Sequence, residues 1–172
     1  TIKIPENTLV MGVVKANAYG HGSVRVAQKL QQLGTDYLAT AYVEEAVELR
    51  DAGITKPILV LHPQVHTLEI CIDRCIEPVI YSVEMMEVFS AFAKAKSQQA
   101  YPIHLEFNTG MNRLGIDPED VEEILELVLQ NSSIKVHGLQ SHLAASEDLN
   151  QQEFTREQIE KFHALCDQVE ST

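Results

Sequence analysis

The chain has 172 residues, 45% of them hydrophobic, and a formal net charge of -12. This is the composition of a globular domain, and its acidic balance excludes a protein that binds nucleic acid through a basic face. No apolar run approaches the ~20 residues that span a bilayer, and no basic and apolar leader stands at the start, so we expect a cytoplasmic protein with no membrane partner.

Apolar runs alternate with helical patterns along the chain. The predicted strands are Leu9–Lys15, Tyr37–Ala41, Ile58–Leu61, Pro78–Tyr81, Ile103–Phe107 and Lys135–Ser141. Predicted helices follow them over about 23–33, 43–52, 65–74, 82–95, from 117 onward, and 151–169. Strands that alternate with helices through short connections predict one parallel α/β domain, either a doubly wound sheet or a barrel.

Two serines are predicted to begin helices. Ser23 and Ser82 each precede an apolar pattern with helical period, and serine is a favoured N-cap residue. The first of these helices should bury a stripe formed by Val26, Leu30 and Leu33.

The three cysteines, Cys71, Cys75 and Cys166, form an odd set in a chain of cytosolic type. A disulfide framework is therefore not expected. Cys71 and Cys75 share a helix face, and we interpret them as structural thiols, with no metal site.

Lys15 ends the first apolar run and is followed by small residues, a tyrosine and two glycines. This pattern places Lys15 at the carboxyl end of a buried strand. A lysine there is either a solvated strand end or a catalytic group, because catalytic residues of barrels collect at that end.

Three segments hold most of the reactive side chains. They read Val-Val-Lys-Ala-Asn-Ala-Tyr-Gly-His-Gly from position 13, Glu-Phe-Asn-Thr-Gly-Met-Asn-Arg-Leu-Gly from position 106, and Ser-His-Leu-Ala-Ala-Ser from position 141. In this order they resemble the pyridoxal-phosphate attachment segment, the Thr-Gly-Met-x-Arg-Leu-Gly motif and the His-Phe-Ala-x-Ala segment of the alanine racemase family.

The resemblance implies a (β/α)8 barrel of the TIM type followed by a β-rich domain. Matched in order, residues 1–172 would form the N-terminal cofactor-binding barrel domain, with about six of eight strand-helix units. It implies an amino-acid racemase that interconverts L- and D-alanine to supply D-alanine for the cell-wall peptidoglycan, as a homodimer with pyridoxal 5'-phosphate as cofactor.

The resemblance also assigns roles to four residues. Lys15 would form the Schiff base with the cofactor and act as base on one face of the substrate. Tyr19 would donate to the cofactor phosphate, although a tyrosine packed over the barrel mouth is the alternative. Arg113 would contact the phenolic oxygen and the substrate carboxylate, and His142 would pack against the pyridine ring.

Glu106 stands where many family members have a carbamylated lysine that anchors the arginine. A glutamate supplies a permanent carboxylate, so we predict an ion pair between Glu106 and Arg113. The alternative is an acidic residue at a strand end with another partner.

Racemisation needs a second acid/base, which in the family is a tyrosine of the partner subunit, and no segment here matches it. We therefore expect weak or no racemase activity from residues 1–172 alone, and self-association through the first or sixth strand. The alternatives are a related barrel racemase for serine, lysine or several amino acids, a related decarboxylase, and a non-catalytic cofactor-binding domain.

Overall fold

The computed structural model describes Pro5 and residues 7–171. The chain divides into two compact units, Thr1–Pro78 and Val79–Thr172. Strand β4 (Glu77–Ile80) contributes its first half to the first unit and its second half to the second.

The first unit is a parallel sheet whose strands are connected by helices. Its strands are β1 (Met11–Val13), β2 (Tyr37–Thr40), β3 (Ile58–Val60) and the start of β4. Its helical elements are α1 (Lys15–Tyr19), α2 (Ser23–Gln32), α3 (Val43–Asp51), a 3-10 turn (Val65–Thr67) and α4 (Leu68–Asp73). The strands pair in parallel, with Met11 opposite Tyr37, Leu38 opposite Ile58 and Leu59 opposite Glu77.

The second unit continues the same alternation. Its elements are α5 (Val83–Ala95), β5 (Tyr101–Glu106), a 3-10 turn (Pro118–Asp120), α6 (Val121–Leu129), β6 (Ile134–Gln140), a 3-10 turn (Leu149–Gln151) and α7 (Gln152–Glu170). β4 pairs with β5 and β5 with β6, all in parallel. The register shifts between Ile103 and His104, so that β6 has one extra residue, His137, at a bulge.

The strand order separates the two architectures that the sequence left open. The strands neighbour one another in chain order from β1 to β6, and every pairing is parallel. In a doubly wound sheet the order reverses at a switch point, whereas a barrel adds each strand beside the preceding one. The sheet is therefore of the barrel type, as the resemblance implied.

Both units bury apolar side chains. The strand β3 is buried on both faces, since Ile58, Leu59 and Val60 are each at most 2% exposed. This is the burial predicted for a short continuous apolar strand that is covered on both faces. In the second unit the largest fully buried side chains include Met85, Met86, Phe89, Ile103 and Phe107.

The two predicted serine caps have different outcomes. The Ser82 hydroxyl accepts a hydrogen bond from the amide of Met85 and begins α5, as predicted. The prediction for Ser23 was wrong, because Ser23 is the first residue of α2 and its own amide donates to the side-chain oxygen of Asn17. The predicted stripe of α2 also fails at its end, where Leu33 is exposed.

Other expectations concern the cysteines, metals and membranes. All three cysteines are free thiols, and Cys71 is buried. Across Pro5 and residues 7–171, no group of three or more His, Cys, Asp or Glu side chains is arranged to hold a metal. None of the described helices is both long and apolar enough to cross a bilayer.

Candidate active site

Lys15 lies at the carboxyl end of β1, in a segment of opposite hand to an ordinary helix. Val14 continues the strand pairing, with its amide donating to the carbonyl of Ala39. The next residues form α1, in which φ is between 49 and 55° at Ala16, Asn17, Ala18 and Tyr19. The chain therefore makes a left-handed turn directly after the half-buried Lys15.

This left-handed turn is strained, because L-residues in that conformation cost about 1–2 kcal/mol each. Backbone hydrogen bonds support it: the amide of Ala18 donates to Val14 and that of Gly20 to Ala16. The side chain of Asn17 ties the turn to α2 by accepting from the amide of Ser23 at 2.9 Å. Strain held by a surrounding network is a common property of functional sites.

Glu45 connects the left-handed turn to the next strand-helix junction. Its Oε1 accepts from the amide of Ala16 at 2.6 Å. Its Oε2 accepts from the amides of Ala41 at 2.7 Å and Tyr42 at 3.1 Å. One carboxylate thus satisfies three backbone donors, from the residue after Lys15 and from the end of β2.

Tyr19 is the last residue of α1, four positions after Lys15, and its side chain is 64% exposed. This exposure does not agree with the alternative prediction, in which the tyrosine packs over the barrel mouth. Within the described residues, neither the Lys15 amine nor the Tyr19 hydroxyl makes a hydrogen bond or an ion pair.

Glu106 is the last residue of β5 and is buried. Its carboxylate accepts a hydrogen bond of 2.9 Å from Nε2 of Gln140, the residue opposite it on β6. Tyr81 follows β4, and the pKa of its hydroxyl is raised by burial and by the charge of Glu106. The carboxyl ends of β4, β5 and β6 thus hold, in that order, a protonated phenol, a carboxylate and an amide.

The structure does not contain the predicted ion pair between Glu106 and Arg113. Of the described residues, the hydrogen-bond partner of the Glu106 carboxylate is Gln140, and the Arg113 side chain is exposed. The reason lies in the loop after β5, which folds back so that Ile116 pairs with Glu106 and Asn108. Arg113 lies within this loop, three residues before Ile116, and its side chain is exposed.

Asn108 organises this loop. Its Oδ1 accepts from the amides of Gly110 and Asn112, each at 3.1 Å, and its Nδ2 donates to Asp117 at 2.7 Å. Gly115 lets the returning chain approach closely, since a Cβ there would lie 2.4 Å from the backbone nitrogen of Asn108. The Arg113 loop is therefore defined by its own polar contacts.

His142 is exposed, two residues after β6, and its backbone is held by Gln158 of α7. Gln158 is completely buried. Its Nε2 donates to the carbonyl of His142 at 3.2 Å and to Oγ1 of Thr109 at 3.3 Å, while its Oε1 accepts from the amide of Ala144 at 3.0 Å. One buried amide thus joins the loops that contain Arg113 and His142.

The first unit thus holds Lys15 and Tyr19 on one turn, and the second holds Glu106, Arg113 and His142. Among the latter three, no hydrogen bond or ion pair links any two in the described part of the chain. Sequence reasoning did not find Glu45, Asn108 or Gln158. A glutamate near the start of a helix is a known capping signal, but its bond to a residue 29 positions earlier is not visible in the sequence.

The fold and the site define a class: a parallel barrel-type α/β domain with a half-buried lysine at the carboxyl end of its first strand. The profile of the family described as "Alanine racemase, N-terminal domain" matches residues 2–172. The chain belongs to this alanine racemase family.

Curated relatives agree with this assignment. The chain is 35% identical over 173 residues to the alanine racemase of Citrifermentans bemidjiense, and 40% identical over 156 residues to that of Thermodesulfovibrio yellowstonii. These matches cover 97% and 91% of this chain but 45% and 41% of the relatives. The chain therefore spans less than half the length of the curated relatives that it matches.

Solved structures show the same partial correspondence. Alanine racemase of Clostridium difficile in complex with cycloserine matches with a TM-score of 0.90 at 33% identity, over 98% of this chain and 46% of that one. Alanine racemase of Bacillus anthracis with bound L-Ala-P matches with a TM-score of 0.86 at 27% identity, over 98% and 43%.

Proposed function

We propose that the full-length protein is a pyridoxal-phosphate-dependent alanine racemase, active as a homodimer, which supplies D-alanine for peptidoglycan. The observation that carries the proposal is Lys15, whose amine ends the first strand of a barrel-type sheet without a hydrogen-bonding partner among the described residues. The membership of the chain in the alanine racemase family supports the choice of reaction.

The side chains present fit the cofactor by their chemistry. Lys15 offers an amine for its aldehyde, and Tyr19 offers an exposed hydroxyl donor for its phosphate. Arg113 offers a permanently charged planar donor for a ring oxygen or a carboxylate. When bound, the cofactor supplies an aldehyde that condenses with amines and a conjugated ring that accepts electron density from the Cα–H bond.

In this proposal each residue has one task. Lys15 holds the cofactor through its amine and, once the substrate amine has replaced it, removes or returns a proton at the substrate Cα. Tyr19 binds the phosphate, Arg113 orients the anionic oxygens, and His142 packs against the ring. Glu106, paired with Gln140, places a carboxylate at the strand ends without pairing with Arg113.

Racemisation also requires an acid/base on the opposite face of the substrate. The family resemblance gives this role to a tyrosine of the partner subunit, and residues 1–172 contain no segment that matches it. We therefore propose that residues 1–172, expressed alone, have weak or no racemase activity, whereas the full-length protein is active.

The test is to incubate the full-length protein with pyridoxal phosphate, reduce it with borohydride and locate the modified lysine by peptide mass spectrometry. We expect the label on Lys15, lost in Lys15→Ala and kept in Lys29→Ala, a control on the exposed face of α2. A folded protein that takes no label on Lys15 would refute the proposal. Racemisation of alanine, serine and lysine, followed by optical rotation, then distinguishes the alternative substrates.

A further inference from the structure

The contacts of Glu45 extend beyond the start of its own helix. In a capping box, a glutamate at the third helical position accepts from the N-cap amide of the same helix. Glu45 makes that contact with Tyr42, but its other oxygen binds the amide of Ala16 at 2.6 Å, which is the shorter bond. One of its two carboxylate oxygens thus binds the residue after Lys15.

The bond between Glu45 and the amide of Ala16 lies at the point where the left-handed turn begins. Ala16 is the first residue with positive φ, so the direction of its N–H is set where the chain changes hand after Lys15. A carboxylate that accepts a backbone N–H makes a charge-assisted bond, about twice as strong as a neutral one. The bond therefore fixes the peptide unit from which the Lys15 side chain projects.

The other contacts of Glu45 anchor the carboxylate. Its Oε2 is held by the amides of Ala41 and Tyr42 at the junction between β2 and α3. The backbone of α3 is in turn fixed in the core by Val43, Ala46 and Leu49, which are at most 1% exposed. A rigid element thus positions the strained turn through one side chain.

We infer that Glu45 is a positioning residue for Lys15: its carboxylate holds the left-handed turn in the conformation that presents the lysine amine to the cofactor aldehyde. The functional part of this inference rests on the proposed function. The positional part, the bond between Glu45 and the amide of Ala16, can be tested without any cofactor.

The experiment compares wild type, Glu45→Ala, Glu45→Gln and Glu44→Gln in the full-length protein. Glu44 is the matched control, since it is the neighbouring residue in the first turn of α3 and is exposed. Amide hydrogen exchange at Ala16 is measured without cofactor, and urea unfolding identifies conditions in which every variant is folded. The rate of borohydride-trapped labelling of Lys15 and the visible circular dichroism of the bound cofactor are then measured under those conditions.

We expect Ala16 exchange to accelerate and Lys15 labelling to slow by about ten- to a hundredfold in Glu45→Ala, the range of a hydrogen bond to a charged group. The visible dichroism should change in shape, because the orientation of the cofactor changes. Glu44→Gln should match wild type in all three measurements. If Glu45→Ala does not fold, Glu45→Gln is used, and we expect a smaller change of the same sign because only one acceptor oxygen remains.

Two outcomes would overturn the inference. Unchanged exchange at Ala16 in a folded Glu45 variant would remove its positional part. Faster exchange with wild-type labelling and dichroism would show that the bond stabilises the fold and does not position Lys15. Absence of label on Lys15 in the wild type would instead refute the proposed function. This result is distinguishable from the other two because it is seen in the wild type and not only in the Glu45 variants.

Discussion

At the scale of single residues, the loop that contains Arg113 depends on a backbone approach that Gly115 permits. A Cβ at this position would lie 2.4 Å from the backbone nitrogen of Asn108 and 2.7 Å from the carbonyl carbon of Phe107. The φ of Gly115 is 123°, a value that L side chains rarely adopt. Steric overlap with backbone atoms and an unfavourable φ therefore act together at this glycine.

We predict that Gly115→Ala lowers the free energy of unfolding by about 3 kcal/mol or more, because strain and overlap add. Gly34→Ala is the control: its φ is also positive, but a Cβ added there would have no neighbouring atom within 4 Å. That variant should lose about 1–2 kcal/mol, the cost of the left-handed conformation alone. Equal losses of unfolding free energy in the two variants, measured with urea, would show that the close approach to Asn108 adds no destabilisation.

Cys71 illustrates how burial changes the chemistry of a single thiol. Burial raises its pKa from 9.0 to about 12, so the folded thiol stays neutral where an unfolded one ionises. The fold therefore binds the thiol proton more tightly than the unfolded chain does. This contribution to stability is complete below pH 9 and is lost as the pH rises from about 9 to 12.

We predict that the thermal midpoint falls above pH 9 and that Cys71→Ala makes this fall shallower. The remaining fall is assigned to Tyr37, whose pKa burial and Glu77 raise from 10.0 to about 12, and to Tyr81 and Cys166, whose pKa values burial also raises. A thiol reagent at pH 8 should modify the exposed Cys75 first and Cys71 only after unfolding. An identical pH profile in wild type and Cys71→Ala would contradict this account.

At the scale of secondary-structure elements, α7 stabilises the loops after β5 and β6 through Gln158. Its buried amide uses both of its polar atoms, on Thr109, His142 and Ala144. Thr109 is bonded in turn to the Ser141 hydroxyl at 2.7 Å. The helix and the two loops therefore share one hydrogen-bond network.

We predict that Gln158→Leu lowers the free energy of unfolding by about 2–4 kcal/mol, since each buried polar group left unpaired costs about 1–3 kcal/mol. In the full-length protein it should also lower the rate of the proposed racemase reaction, because the loop that carries His142 loosens. Gln152→Leu, at an exposed position of the same helix, should change neither. A Gln158→Leu protein with wild-type stability would show that the network is dispensable.

The elements also show what the sequence could and could not predict. All six strands and their helices lie where the apolar periodicity placed them, within a few residues, because burial of the strands on both faces imposes that pattern. Ser82 acts as predicted because a cap is a local interaction. Ser23 does not, because Asn17 takes the capping role from within a turn whose handedness the sequence did not reveal.

The candidate site was predictable only as a set of residues. Motif resemblance identified Lys15, Tyr19, Arg113 and His142 by position, without contact information. The predicted partner of Glu106 was wrong, because the register of β5 on β6 places Gln140 opposite it. Register and the folding of a loop onto itself are long-range properties, which residue spacing does not contain.

At the scale of the whole molecule, β1 is an exposed strand. Leu9, Val10, Met11 and Val13 are each at least 40% exposed, and among the described strands β1 pairs with β2 alone. Exposed apolar strands with unpaired backbone groups favour association with other chains. The same strand leads directly to Lys15.

We predict that residues 1–172, expressed alone, self-associate in a concentration-dependent manner. Light scattering coupled to size exclusion should show species larger than the monomer of 19.2 kDa. Val13→Lys should shift the population towards monomer, whereas Leu129→Lys, at an exposed apolar residue of α6, should not. A monodisperse monomer at every concentration would be the contrary result.

The left-handed turn after Lys15 has a consequence for which substitutions that segment tolerates. Its residues are L-amino acids in the conformation that their mirror images prefer, since the right-handed region of a D-residue coincides with the left-handed region of an L-residue. Branching at Cβ aggravates this mismatch, so valine or isoleucine at positions 16 to 18 should be excluded more strictly than at positions with a right-handed backbone. A semisynthetic chain with D-alanine at position 16 would keep the turn and release its strain.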